Sequence, residues 1–228
     1  MIEGDIAGAS NDKITLALIT NDGLEPLDSM RLKNGHFCFE LKANDKSTKE
    51  RAASPMMYQL MLSPYNTLTT IAKGGEHIII KANAESLVNH YQVSGGEEAV
   101  LMGQLDSALH TFVQPVDTLY RTYQLNIEND SLRSNIEKQY VQLLAHHKQY
   151  LSQFIQDHPD KMSSYIAFYQ GYNRRSFFNE QEDKDLLRQI THNLKNKYPD
   201  NPYVQKMQER LETLDLMEKE RKNQDDID

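Results

Sequence analysis

Cysteine is almost missing from this sequence: Cys38 stands alone among 228 residues, which excludes an intramolecular disulfide and a C-x-x-C redox pair. Such low usage fits the cytosol, and equally a bacterial envelope protein whose signal peptide and lipidated cysteine have been removed. Long apolar runs are missing too. No stretch approaches the roughly 20 residues that cross a bilayer as a helix, and the opening MIEGDIAGAS has neither the basic segment nor the apolar run of a secretion signal. Positive charge is in deficit: 25 lysines and arginines face 33 aspartates and glutamates, a net charge of -8. That balance repels phosphate backbones and anionic lipid heads, so nucleic acid is not an expected partner. Phosphate-cradling loops are absent as well. Gly74-Gly75 and Gly95-Gly96 fit neither G-x-x-x-x-G-K nor G-x-G-x-x-G and read as turns.

What is present changes character near Gly95. Up to that point, short apolar runs are separated by turn signals at the spacing of a sandwich or barrel. Asn34-Gly35 predicts a type I′ hairpin turn, because both residues tolerate positive φ, and Asn21-Asp22-Gly23 acts similarly. Ile14, Leu16 and Leu18 alternate with Thr15 and Ala17, while Phe37, Phe39 and Leu41 alternate with His36, Cys38 and Glu40. Runs at Met57 to Leu62, Leu68 to Ala72, His77 to Ile80 and His90 to Val93 bring the expectation to about eight strands if Met1 to Ala7 counts. The polar stretch Asn44 to Ser54 is expected to be a loop.

After Gly96 the apolar period lengthens to about 3.6. Leu101, Leu105, Leu109, Phe112, Val116, Leu119, Tyr123 and Ile127 make one helical stripe, with Pro115 predicted to kink it without ending it. Leu132, Ile136, Tyr140, Leu143, His147, Leu151 and Phe154 make a second stripe that stops before His158-Pro159. A short helix is expected from Pro159 to Gln170. The pair Asn179 and Glu182 has a capping-box pattern that opens a helix ending at Tyr198-Pro199. A last helix opens at Asn201-Pro202 on Val204, Met207, Leu211 and Leu214. The fold class is therefore α+β by segregated domains: an antiparallel β-sandwich-like domain at 1–95, an all-α domain at 96–217, and a polar tail at 218–228, expected to fray.

The chemistry-bearing residues are sparse. His146 and His147 are adjacent on a helix, so their side chains point about 100° apart and cannot readily share one ion; no metal or cofactor is expected. Cys38 lies mid-strand without a basic residue or helix N-terminus nearby in sequence to activate it. The acidic run Glu180 to Asp185 is explained by a helix start and solvation. One stretch is unusual: Tyr165, Phe168, Tyr169, Tyr172, Phe177 and Phe178 surround Arg174 and Arg175. Packing accounts for most of these aromatics. The alternative is an interface hot spot, with Tyr169, Tyr172, Arg174, Arg175 and Phe177 as the candidate binding residues.

Several segments resemble the start of bacterial envelope proteins that end in a thioredoxin-like, alkyl hydroperoxide reductase-type domain. IEGDIAGASNDKITLAL, DSMRLKNGHFCFEL and GGEHIIIKA are similar to their small β domain of unknown function, and HYQVSGGEEAVLMGQL, HPDKMSSYIAFYQ and KYPDNPYVQKMQERL to the helical connector. In that family the chemistry belongs to the downstream thioredoxin-like domain. Here Leu214 is followed within a few residues by EKERKNQDDID, without C-x-x-C, so redox activity does not carry over. The resemblance implies a periplasmic or envelope location, with a lipid anchor preceding Met1. The expected function is that of a non-catalytic envelope module that contacts a protein partner or positions a thioredoxin-like one. The alternative is a protein that binds a small molecule, peptide or glycan between its two parts, near the aromatic and arginine cluster. An enzyme survives only as a cysteine- or carboxylate-dependent activity with residues gathered by the fold.

Overall fold

A computed structural model describes residues 1–41 and 54–225, and side chains up to residue 223. The expected loop at 44–54 lies outside them apart from Ser54. Eight strands come first: β1 (Ile2–Ala7), β2 (Lys13–Thr20), β3 (Gly23–Arg31), β4 (His36–Phe39), β5 (Met56–Ser63), β6 (Asn66–Ala72), β7 (Ile78–Asn83) and β8 (Gln92–Ser94). Helices then take over: α1 (Glu97–Leu125), α2 (Asp130–Asp157), α3 (Met162–Tyr169), α4 (Lys184–Lys197) and α5 (Pro202–Asp225). A small hairpin, β9 (Gly171–Tyr172) and β10 (Arg175–Ser176), separates α3 from α4. The segregated α+β arrangement is the one that the periodicity predicts.

The strands form two four-stranded sheets, in the orders β4-β1-β7-β8 and β3-β2-β5-β6. The second is antiparallel throughout. The first departs from the antiparallel expectation, since β1 and β7 run parallel, with Ile2 beside Ile78 and Ile6 beside Ala82. The reason is topological: the whole second sheet is built between these two strands, and the chain returns to lie alongside its own beginning. The turn at Asn34-Gly35 forms as expected, both residues at positive φ (54° and 85°). Lys33 and His36 exchange backbone hydrogen bonds across it. It is not a hairpin within one sheet, however, because it carries the chain from β3 in the second sheet to β4 in the first. A side chain on Gly35 would meet the Ile6 carbonyl at 2.7 Å, so position and conformation both demand glycine.

Ile2, Ile6, Ile14, Leu16, Phe37, Phe39, Leu60, Leu68, Ile78 and Ile80 interdigitate between the two sheets. The second sheet is covered on its other face as well. Leu18, Met57 and Ile71 join a second cluster with Leu105, Leu151, Phe168, Ile190 and Met207 from the helices. The pairing of β2 with β3 shifts register at a bulge between Leu16 and Ala17, and Leu16 joins the core between the sheets while Leu18 joins the cluster with the helices; with both faces of β2 covered, Ala17 between them is fully buried. The layers are sheet, sheet, helices.

Helix boundaries refine the sequence reading. α1 passes through Pro115 without ending but stops at Leu125, leaving Ile127 outside it and 53% exposed. α3 begins at Met162, not at Pro159. Its start has no side-chain cap of its own; the Glu98 carboxylate of α1 reaches across and accepts hydrogen bonds from the Met162 and Ser163 backbone at 2.8 and 2.9 Å. The capping box is rearranged: Asn179 Oδ1 accepts from the Gln181 and Glu182 backbone, while the return bond to the Asn179 N–H comes from Asp183 and not from Glu182. α5 does not fray at Glu218 but continues to Asp225. Lys184 and Lys222 hold the Glu218 carboxyl down to about 2 through hydrogen bonds.

Candidate functional site

The aromatic and arginine segment folds into the β9–β10 hairpin, in which Tyr172 pairs with Arg175. Its two-residue turn, Asn173-Arg174, has both residues left-handed, at φ 54° and 65°. Asn is suited to the first position, whereas the second favours glycine. An arginine held there costs of order 1 kcal/mol or more. Arg174 and Arg175 are both exposed, and among the described residues neither guanidinium has a hydrogen bond or ion pair.

The five candidate residues divide into three environments. Phe177 packs inward, its ring 5.2 Å from Phe112 and 4.5 Å from His147. Tyr169 lies on the other side, donating to Glu180 Oε1 at 3.1 Å; Arg210 holds that same carboxylate. Burial pushes the Tyr169 phenol up, and the Glu180 charge adds to it. Tyr172 donates to Asp117 Oδ1 at 2.7 Å, and this bond pushes its phenol up to about 12. Of the remaining aromatics, Phe168 and Phe178 are buried and stacked, as the packing reading expects. Tyr172 and Arg175 therefore belong to one site, with Arg174 at its turn, while Tyr169 and Phe177 support the fold around it.

That site is a groove of about 830 Å³ walled by α1, α2 and the hairpin, with Tyr120 and Tyr123 from α1, Tyr140 from α2, and Tyr172 and Arg175 from the hairpin. Beside it, the α1–α2 end exposes large apolar side chains: Tyr120 (64%), Leu125 (84%), Ile127 and Val141 (62%). Sequence reasoning read Tyr123 and Tyr140 only as stripe residues and did not single out Tyr120. Helical spacing does not reveal that two helices and a hairpin distant in sequence bring Tyr120, Tyr123, Tyr140 and Tyr172 together.

Two other places hold candidate chemistry. A cleft of about 840 Å³ lies where the second sheet meets the loop between α4 and α5, lined by Asn21, Ser54, Tyr198, Asp200 and Asn201 among others. The aromatic and arginine cluster does not contribute to it, so the two features that the ligand-binding alternative placed together are apart. Nearer the start of α1, Tyr91 donates to Asp106 at 2.7 Å. Burial raises the Asp106 carboxyl to about 6, against the lowering effect of that bond. His147 is buried with Nε2 2.8 Å from Gln170 Oε1, and burial lowers its pKa; His146 does not share this environment. Among the described residues, no three His, Cys, Asp or Glu side chains group as metal ligands. Cys38 is exposed on β4, its thiol pushed up by partial burial and by Glu3. The acidic run is tied down at several points, Asp183 to Lys148 and Asp185 to Arg188 among them.

Residues 1–102 match a family described as Domain of unknown function (DUF4369). The match ends within the first two turns of α1, where Ala99 joins the core between the sheets and Leu101 and Met102 the cluster behind the second sheet. No curated protein and no solved structure matches the chain. No helix among the described residues is long and apolar enough to cross a membrane.

Proposed function

We propose that this chain is a non-catalytic cell-envelope module whose helical part binds a protein partner, a thioredoxin-like domain being the expected one. The observation that carries the reading is Arg174, exposed, without a partner among the described residues and held left-handed in the turn of a hairpin that walls a tyrosine groove. Backbone strain of this kind clusters at ligand clamps and switch regions, where it is part of the mechanism. The envelope location rests on the resemblance of the β unit and helical connector to lipid-anchored thioredoxin-like proteins.

The test uses Arg174→Gly. This change removes the strain, so the variant unfolds at higher denaturant, by about 1 kcal/mol. Calorimetric titration with a thioredoxin-like domain encoded beside this chain should show binding by the wild type and weaker binding by the variant. Equal affinity, or no binding by either, counts against the reading. Reduction of insulin disulfides by this chain would overturn the non-catalytic part, and an upstream frame without a lipoprotein signal would overturn the anchor.

A further inference from the structure

We infer that the groove between α1, α2 and the β9–β10 hairpin accepts an extended acidic segment of a protein partner, its carboxylates on Arg174 and Arg175 and its apolar side chains on the tyrosines. This rests on the protein-binding reading above and names the chemistry that the partner must present.

Charge complementarity selects the occupant. In a chain of net charge -8, the basic helix side chains Lys148, Lys184, Arg188, Lys197 and Arg210 have carboxylate partners. The two adjacent arginines of the hairpin have none among the described residues; Arg175 lines the groove and Arg174 occupies the turn next to it. A guanidinium offers a planar fork that a carboxylate fills with two parallel hydrogen bonds. The opposite wall has the complementary polarity. Asp117 is already engaged by the Tyr172 hydroxyl, and Glu137 on α2 has no partner among the described residues. An acidic residue is therefore attracted to the hairpin and repelled from the α2 wall, which fixes the segment's placement across the groove. Tyr120, Tyr123 and Tyr140 supply aromatic surface at low entropic cost, the composition of an interface centre.

A random dodecapeptide library displayed on phage, selected against wild type and against Arg174→Glu/Arg175→Glu, tests this. Both side chains are exposed, so circular dichroism of the double variant should match the wild type. Wild type should enrich peptides that combine aspartate or glutamate with apolar residues. A synthesised peptide from that pool should bind the double variant about tenfold or more weakly, and bind wild type less tightly as salt rises. Enrichment without acidic residues, or equal affinity for the double variant, overturns the inference. If such peptides nonetheless lose binding on Tyr140→Ala, the groove binds protein but does not select charge, and the proposed function stands alone. If no peptide is enriched, the groove assignment falls. The calorimetric titration with the thioredoxin-like domain then decides the proposed function separately.

Discussion

Replacing Asp106 by Asn should stabilise the protein above pH 6 and do so progressively less below it. Asp106 lies on α1, partly buried, and accepts the Tyr91 hydroxyl at 2.7 Å. Its folded pKa of about 6, against an ordinary 3.8, means that the folded chain holds this proton more tightly than the unfolded chain does. The group's contribution to stability is therefore complete below pH 3.8 and is lost as the pH rises through about 6. The ceiling is about 3 kcal/mol, two pKa units at 1.36 kcal/mol each. The partial exposure of Asp106 reduces the expected effect to about 1–2 kcal/mol. Asparagine keeps an oxygen to accept from Tyr91 and carries no charge, so it avoids the desolvation cost that aspartate meets at neutral pH. Urea unfolding of both proteins at pH 4.5, 6 and 8 measures the difference directly. A stability gap that stays constant with pH, or that narrows as the pH rises, would refute the assignment of the shift to desolvation of this carboxylate.

The tertiary cap on α3 gives a second test: Glu98→Ala removes the acceptor of two backbone bonds and should cost about 3 kcal/mol in denaturant unfolding, with hydrogen exchange fastest at Met162 and Ser163. Burial raises the Glu98 pKa, so its own contribution also declines as the pH rises above 4.5, and part of the alanine penalty should ease from pH 5 to pH 8. Tyr203→Phe removes a hydroxyl that donates to the Ile19 carbonyl and accepts from the Met57 backbone. A loss of about 1–3 kcal/mol is expected, and a loss near zero would show that the hydroxyl does not tie α5 to the sheet. At Cys38 the raised thiol pKa predicts slower reaction with a disulfide reagent at pH 7.5 than that of free cysteine, and a faster one would contradict the local electrostatics.

The parts of the fold that the sequence discloses are those set by local rules. Asn34-Gly35 turns the chain because few other residues accept two positive φ values in succession, and the change from period two to 3.6 after Gly96 marks the passage from sheets to helices. What local rules do not contain is which strands meet. A meander would pair β1 with β2; instead β1 lies between β4 and β7, because the chain crosses into the second sheet and comes back twice. Nor can alternation tell that Leu18 leaves the core that Leu16 joins, since the register shifts at a bulge between Leu16 and Ala17 and burial of the second face depends on helices far along the chain. The same distance hides Glu98, which reads as a first-turn acid of α1, where the helix dipole favours it, and serves the start of α3 instead.

The hairpin cluster was visible as composition, and its division into working and supporting residues was not. Six aromatics around two arginines satisfy both the packing and the interface reading; Phe168, Phe177 and Phe178 pack inward, while Tyr172, Arg174 and Arg175 stay on the outer hairpin, where the interface is proposed. The discriminating signal is conformational. An arginine in the second position of a type I′ turn contradicts the glycine preference that the Asn34-Gly35 turn of the same chain obeys, and that contradiction could be read only once the turn's two-residue length was known. The β unit and the helices are linked at several points: Tyr203 to Ile19 and Met57, Asn201 to Pro55 at 2.9 Å, and α1 packed on the second sheet. The groove therefore stands on a rigid base. A partner seated there would meet a preorganised surface, with the strain at Arg174 set against the entropy that a mobile arginine loop would lose on binding.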